Sequence, residues 1–208
     1  MAPAAIGAVA VGPFAGSLSE SWEGFPNFRE GPNVVDYLPD PTSVFGGAAL
    51  ISQGAMAIYE PTAADNANFA LSAFLAKVAD GTKGIGFDTP TQQLRTVTMT
   101  FGMPVWRFGS YWGADTTQPQ INVYFYDAAD ALIDAASFSF ISPGSDGSLM
   151  WQGWTTLAPF VSIRFTGDAM VMDAAQASIV AGTAPEPGTL ALLGLGLAGL
   201  AAARRRLP

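Results

Sequence analysis

The chain has 208 residues and a mass of 21.6 kDa, with 9 basic and 17 acidic residues, no His and no Cys. Its length fits one globular domain with short appendages, and a composition that is 50% hydrophobic and 12% charged excludes an intrinsically disordered chain. The lack of His and Cys excludes Ser-His-Asp and Cys-His catalysis, zinc sites with those ligands and disulfide bonds, and a net charge of −8 argues against nucleic acid as a partner.

Residues 1–18 form an apolar N-terminal segment, and the first basic residue of the chain is Arg29. A secretory signal combines a positively charged start, an apolar stretch and a small-x-small cleavage site. Residues 8–10, Ala-Val-Ala, fit the cleavage site, but little apolar sequence precedes them. A weak signal and an ordinary N-terminus stay open, and we favour the remnant of a signal peptide that starts upstream.

The following part of the chain has fewer regular patterns. Residues 21–25 fit an opening strand, and residues 47–59 mix small and apolar side chains in a way that fits two strands. Residues 67–78 carry apolar side chains at helical spacing, although part of the segment also alternates. Helix and strand therefore both stay open for residues 67–78.

Regular alternation of polar and apolar residues begins after about residue 84. Residues 96–101 and residues 121–126 both alternate, which is the pattern of a strand with one buried face. The side chains predicted to face the core are Val97, Met99, Phe101, Ile121, Val123 and Phe125.

Residues 137–140 and 161–165 repeat this pattern, and Gly- and Pro-containing turns are predicted at residues 102–104 and 142–144. Short strands between such turns predict an all-β fold. The predicted ectodomain is a jelly-roll-like antiparallel β-sandwich over residues 19–183. Its core is expected to include Trp106, Trp151 and Trp154.

Two groups of carboxylates are candidates for glycoside hydrolysis, which needs two such groups across a cleft. Glu20 and Glu23 are close in sequence, as are Asp127, Asp130 and Asp134. The second group is typical of a hairpin turn, where Asp accepts hydrogen bonds from backbone amides. Because the sequence has no calcium-loop motif and no Gly-rich phosphate loop, we expect no catalytic activity, metal or cofactor.

Residues 184–208 differ in composition from the rest of the chain. A Pro-Glu-Pro triplet, held extended by its prolines, precedes the uncharged apolar residues 189–203 and three arginines. We predict a linker and then a transmembrane helix at 189–203, stopped by cytoplasmic arginines, because a buried core helix would have a polar face. The residues concerned are Pro185, Glu186 and Pro187 in the triplet, Leu190, Leu192, Leu193, Leu195, Leu197 and Leu200 in the membrane anchor, and Arg204, Arg205 and Arg206 after it.

This order of triplet, apolar helix and arginine cluster resembles the PEP-CTERM sorting signal. The resemblance implies that an exosortase, a transpeptidase-like enzyme of the inner membrane, recognises the triplet and processes the tail. This chain would then be the substrate of that reaction. The resemblance also implies a Gram-negative host, anchoring in the inner membrane before processing, and later delivery to the cell surface or extracellular matrix.

The body resembles the jelly-roll ectodomains found on PEP-CTERM proteins. The resemblance lies in residues 22–25, 86–90, 123–127 and 162–167. Those ectodomains often finish with an Asp-Asn-Val strand, whereas residues 170–173 here read Met-Val-Met-Asp. The missing Asn leaves a shared calcium or ligand site without support.

We therefore expect a non-catalytic exported protein that its tail directs to the cell envelope or to an extracellular polysaccharide matrix. Its expected partners are an exosortase and the inner membrane. The alternative is a lectin-like carbohydrate-binding module that stacks exposed aromatic rings on sugars. The candidate stacking residues are Tyr111, Trp112, Tyr124 and Tyr126.

Overall fold

The computed structural model describes residues 7–26, 30–31, 34–35, 37–52, 56–60, 77–87, 95–113, 120–139, 149–167 and 170–179. These residues form antiparallel β-structure with one short 3-10 helix, Phe45–Gly47, and no α-helix. The all-β prediction is thus confirmed for the described part of the chain. The strands are β1 (Val9–Ala10), β2 (Leu18–Glu20), β3 (Glu30–Gly31), β4 (Val34–Val35), β5 (Thr42–Val44), β6 (Ala49–Ser52), β7 (Met56–Tyr59), β8 (Gly84–Phe87), β9 (Arg95–Gly113), β10 (Gln120–Tyr126), β11 (Leu132–Ser139), β12 (Met150–Gly167) and β13 (Met170–Ile179).

The two longest strands, β9 and β12, pair with each other and bend at the same place. Between the pairs Thr155–Arg107 and Phe160–Val105, β12 advances five residues while β9 advances two. Between Phe160–Val105 and Ser162–Thr100, β9 advances five while β12 advances two. Reciprocal bulges of this kind bend a strand pair. The turn predicted at residues 102–104 is therefore wrong, because these residues form a bulge inside β9.

The bend divides the sheet into two layers. The first layer has the order β11, β10, the C-terminal half of β12, the N-terminal half of β9, β6 and β5. The second layer contains β1, the N-terminal half of β12, the C-terminal half of β9, and β13, which pair in that order. Strand β13 also pairs with β2 and with β8, and β8 pairs with β7. Strands β3 and β4 form a separate ribbon.

Buried aromatic rings join the two layers. The ring centroids of Trp112 in the second layer and Phe165 in the first lie 4.8 Å apart, and those of Trp154 and Phe125 lie 6.2 Å apart. The six side chains predicted to face inward from β9 and β10 are all buried. The described strands therefore form a β-sandwich whose core is mainly aromatic.

The three tryptophans expected in the core differ from one another. Trp154 is buried as predicted, and Trp151 is half-buried on the outer face of the second layer. Trp106 is 42% exposed, so its core prediction is wrong. Trp106 lies where β9 has one extra residue relative to β13, between the pairs Arg107–Ser178 and Val105–Ile179. This bulge takes Trp106 off the inward face that Phe108 occupies two residues later.

The first half of the chain agrees with prediction in part. Residues 47–59 contain two strands, β6 and β7, as expected. The opening strand predicted at residues 21–25 is wrong, because β2 lies earlier and residues 22–25 form a turn in which the Phe25 amide donates to the Trp22 carbonyl at 3.1 Å. Of residues 67–78, only 77–78 lie within the described part of the chain. The turn predicted at residues 142–144 lies outside it.

Both ends of the described fold lie where β9 and β12 bend, which we call the bend end. Strand β1 begins at Val9, which pairs with Thr155, and β13 ends at Ile179, which pairs with Val105. Residues 180–208, including the transmembrane helix predicted at 189–203, lie outside the described residues. Within the described ranges, no helix has the length and hydrophobicity needed to cross a bilayer.

Candidate functional site

The sorting residues at positions 185–187 and the arginines at 204–206 lie outside the described part of the chain. The fold defines where the described part of the chain ends before them. Strand β13 ends at Ile179, in register with Val105 at the bend of β9. The predicted signal therefore starts within a few residues of the bend end.

Trp112 is not available as a stacking surface, which corrects the prediction from sequence. Its side chain is 0% exposed and lies between the layers, against Phe165 and Phe138. Its indole Nε1 has no hydrogen-bond partner among the described groups. The ring is part of the core because it points inward from the second layer, and a buried ring cannot contact a sugar.

Tyr124 and Tyr126 lie on the outer face of the first layer, as their alternation with buried Val123 and Phe125 requires. Both are half-buried. Arg164 of β12 is opposite Tyr124 in the ladder, and its guanidinium carbon lies 4.0 Å from the ring centroid of Tyr126.

Two further features define this face. Asn122 lies two residues before Tyr124 on the same strand, so it points to the same side. Arg164 forms an ion pair with Asp130 in the turn that follows β10. We call Asn122, Tyr124, Tyr126 and Arg164 the tyrosine strip, and its chemistry combines ring faces with amide and guanidinium donors.

Tyr111 belongs to a different surface, on the outer face of the second layer. Its ring packs edge to face on Trp151, with centroids 5.3 Å apart, and Trp151 packs in the same way on Phe14 at 5.5 Å. Arg107 covers the Phe14 ring at 4.0 Å, and the Trp151 Nε1 donates to the Val11 carbonyl at 2.9 Å. The rings of this cluster therefore already contact one another.

The position of Trp151 depends on two glycines beneath it. Gly109 and Gly153 are directly paired across β9 and β12. A Cβ at Gly109 would overlap the Trp151 ring, and one at Gly153 would come 3.0 Å from its Nε1. Sequence reasoning missed this cluster, and the only signal for it was a glycine in each of two strands.

Asp127 and Asp130 lie in the hairpin turn between β10 and β11, as predicted, whereas Asp134 lies in strand β11. The Asp127 Oδ1 accepts hydrogen bonds from the amides of Ala129 and Ala131 at 2.8 and 2.9 Å. The buried Asp134 accepts one from the Ala135 amide at 2.9 Å. These contacts give Asp127 and Asp134 structural roles.

Asp173 is a fully buried carboxylate at a bulge in β13, where Ala174 has a φ of 48°. Its Oδ2 accepts from the amides of Ala79 and Asp80 at 2.6 and 2.9 Å, and its Oδ1 accepts from the Ala174 amide at 2.6 Å. Burial raises the pKa of Asp173 to about 6, against the opposing effect of these three amides. Burial also raises the pKa of Tyr59, whose hydroxyl donates to the Lys77 carbonyl at 3.1 Å.

Asp173 thus binds the first part of the loop formed by residues 77–83, and Glu23 binds its last part. Its Oε1 accepts from the amides of Thr82 and Lys83 at 2.7 and 2.8 Å. The backbone hydrogen bond from Thr82 is the main reason that the pKa of Glu23 is lowered. Glu23 and Asp173 therefore fix residues 77–83, which we call the clamped loop.

Glu20 is also engaged in the fold. Its Oε1 and Oε2 accept from the amides of Trp22 and Phe45 at 3.2 and 2.7 Å. The described ranges contain no group of three or more carboxylates that could hold a metal ion.

Comparison with known structures gives distant similarities of fold. The chain is similar to bacteriophage CBA120 tailspike protein 4, with a TM-score of 0.41 and 11% identity over 64% of this chain and 19% of that chain. It is also similar to a DUF4465 family protein from Bacteroides caccae, with a TM-score of 0.46 and 11% identity over 76% of this chain and 97% of that one. For the K2 cleaved adhesin domain of Lys-gingipain the TM-score is 0.48, with 7% identity over 77% and 98% of the two chains. These values are too low to carry an argument about function.

Comparison of sequences gives a local but specific result. No curated protein matches the chain. The family profile of the PEP-CTERM protein-sorting motif matches residues 183–206, which contain the Pro-Glu-Pro triplet, the apolar segment and the arginines. The chain is therefore a PEP-CTERM domain-containing protein.

Proposed function

We propose that this protein is a non-catalytic cargo of an exosortase, exported and then carried to the cell surface or extracellular matrix of a Gram-negative bacterium. The observation that carries the proposal is the sorting motif at residues 183–206. Pro185, Glu186 and Pro187 are the recognition element in this proposal, and the arginines at 204–206 stay on the cytoplasmic side.

The ectodomain in this proposal is a jelly-roll-like sandwich without catalytic function. Support comes from four of its described carboxylates, since Glu20, Glu23, Asp127 and Asp173 accept hydrogen bonds from backbone amides. Residues 189–203 span the inner membrane until the exosortase removes the tail.

The test is replacement of Pro185, Glu186 and Pro187 by alanine in the full chain, expressed with an exosortase. We expect the variant to fold but to remain uncleaved in the inner membrane, while the parent loses its tail. The measurements are the intact mass and the C-terminal residue of each protein. A Pro159→Ala variant, changed at an exposed position outside the signal, should be processed like the parent. Normal tail removal from the triple variant would refute the sorting role of the triplet.

A second candidate function, binding of extracellular polysaccharide, is favoured by the tyrosine strip. Two half-buried tyrosines there share one strand face with Asn122, which is the combination of ring and hydrogen-bonding group that suits a sugar. Affinity electrophoresis in gels containing the exopolysaccharide of an exosortase-bearing bacterium tests it. Tyr124→Ala should abolish retardation, whereas Tyr111→Ala, on the other layer, should not. Equal migration of the parent with and without polysaccharide would exclude this function for the polymer tested.

A further inference from the structure

Three large apolar side chains are exposed together at the bend end. Met103 is 47% exposed, Trp106 42% and Leu157 75%. They lie on the two facing bulges of β9 and β12, where the Thr155 hydroxyl donates to the Trp106 carbonyl at 3.2 Å and the Thr156 hydroxyl donates to the Ala158 carbonyl at 2.7 Å. We call Met103, Trp106 and Leu157 the bend patch. Large apolar groups that remain exposed together mark a surface of interaction.

The course of the chain indicates what this surface faces. Strand β13 ends at Ile179, in register with Val105, so the described part of the chain ends next to the bend patch. Ten residues after Ile179 the apolar segment 189–203 begins. Ten extended residues span at most about 33–36 Å, so a membrane that held residues 189–203 would lie within that distance of the patch.

The N-terminal side of the fold is at the same end. Val9 pairs with Thr155, next to the bulge that carries Leu157, and is itself 55% exposed. The apolar surface of the bend end therefore includes side chains from β1, β9 and β12.

The chemistry of the bend end suits a lipid–water interface. Tryptophan favours that depth because its ring is apolar and its N–H can reach water or headgroups. The acidic hairpin turn at the same end is partly neutralised, because Asp130 forms an ion pair with Arg164.

We infer that the bend patch of the anchored protein rests in the interface of the membrane that holds its own tail. The sandwich then stands on the bilayer through Met103, Trp106 and Leu157, with its two layers extending away from the surface. This inference depends on the proposed function, because it needs residues 189–203 to be inserted. It adds a second, non-covalent contact with lipid that fixes the orientation of the ectodomain.

Single labels test the orientation directly, since the chain has no cysteine. Met103→Cys and Met150→Cys are a matched pair, because the two methionines are 47% and 45% exposed. Met103 lies at the bend, whereas Met150 begins β12 at the end of the second layer that is remote from the bend. Leu195→Cys reports insertion of the tail. Each full-length variant is labelled with an environment-sensitive fluorophore and reconstituted into vesicles of phosphatidylethanolamine and phosphatidylglycerol that contain a headgroup-level nitroxide quencher.

We expect quenching at position 103 to exceed that at position 150 by roughly threefold or more, since an interfacial group is shielded from water and contacts lipid. Adding Trp106→Ser and Leu157→Ser should reduce quenching at position 103 without changing it at position 195. Circular dichroism shows whether these variants keep their β-structure.

The remaining outcomes distinguish failure of the inferred orientation from failure of the proposed membrane anchoring. Insertion at position 195 with equal, low quenching at 103 and 150 would overturn the orientation but leave the sorting tail intact. No insertion at position 195 would overturn the membrane anchoring in the proposed function, and the orientation with it. Shielding at position 103 in detergent without lipid, rising with protein concentration, would assign the patch to a second copy of the chain and overturn the lipid contact.

Discussion

Phe108 and Phe165 pack with their ring centroids 5.6 Å apart, although β9 and β12 place them in different layers of the sandwich. Phe108 pairs with Trp154 in the second layer, and Phe165 pairs with Val97 in the first. The contact exists only because both strands bend between these positions. The bend therefore creates the aromatic core as well as the shape of the fold.

Phe165→Ala tests the importance of this core. Both rings are fully buried, and we expect the substitution to lower the free energy of unfolding by about 3–5 kcal/mol through lost burial and a cavity. Chemical denaturation of the full chain in mild detergent measures the change. Leu157→Ala, at a side chain that is 75% exposed, should change it by no more than about 0.5 kcal/mol. Equal effects of the two substitutions would contradict this description of the core.

Gly109 should not tolerate a side chain. A Cβ at this position would overlap the Trp151 ring and lie 2.9 Å from the Cα of Gly153. We expect Gly109→Ala to cost about 1–3 kcal/mol and to change the fluorescence of the displaced Trp151. Gly102→Ala, in the bulge of the same strand, is the control because its Cβ would come no closer than 3.6 Å to the Ala48 carbonyl oxygen. If Gly102→Ala were the more destabilising change, the close packing at Gly109 would be wrong.

Asp173 should make stability depend on pH. Its pKa is raised from 3.8 to about 6 in the folded protein, so the folded state binds more protons than the unfolded state between these values. The contribution of Asp173 to the free energy of unfolding is therefore greatest at low pH and is lost as the pH rises through about 6. The total change is about 3 kcal/mol.

The measurement is denaturant unfolding of the parent and of Asp173→Asn at about pH 4.5 and about pH 7.5. The stability of the parent relative to the variant should fall between the lower and the higher pH. A relative stability that stays constant, or that rises with pH, would show that burial does not dominate the titration of Asp173.

Glu23 should control one end of the clamped loop. In Glu23→Ala, the amides of Thr82 and Lys83 lose their acceptor, and we expect their hydrogen exchange to accelerate by about tenfold. The amides of Ala79 and Asp80 are an internal control because Asp173 accepts from them. In the parent, the pKa of Glu23 is lowered, so its contribution to stability is present above about pH 4.5 and is lost as the pH falls below that value. Unchanged exchange at Thr82 and Lys83 would remove Glu23 from this role.

The sequence alone predicted the parts of this protein that depend on local pattern. Alternation identified the buried faces of β9 and β10, and clustered aspartates identified the turn after β10. The sorting motif was also readable without tertiary structure, because its triplet, apolar segment and arginines follow one another directly in the chain.

Other features depended on contacts between residues far apart in sequence. No local pattern showed that Pro104 lies inside a bulged strand, that Trp106 is exposed while Trp112 is buried, or that Asp173 accepts from amides about 90 residues away. A period of two defines two faces for each strand, but only the pairing of strands and the bend between layers decide which face is covered. The sequence therefore determined the sorting signal and the β-class, whereas the tertiary structure decided which aromatic side chains remain exposed and that Trp106 lies beside Ile179, where the described part of the chain ends.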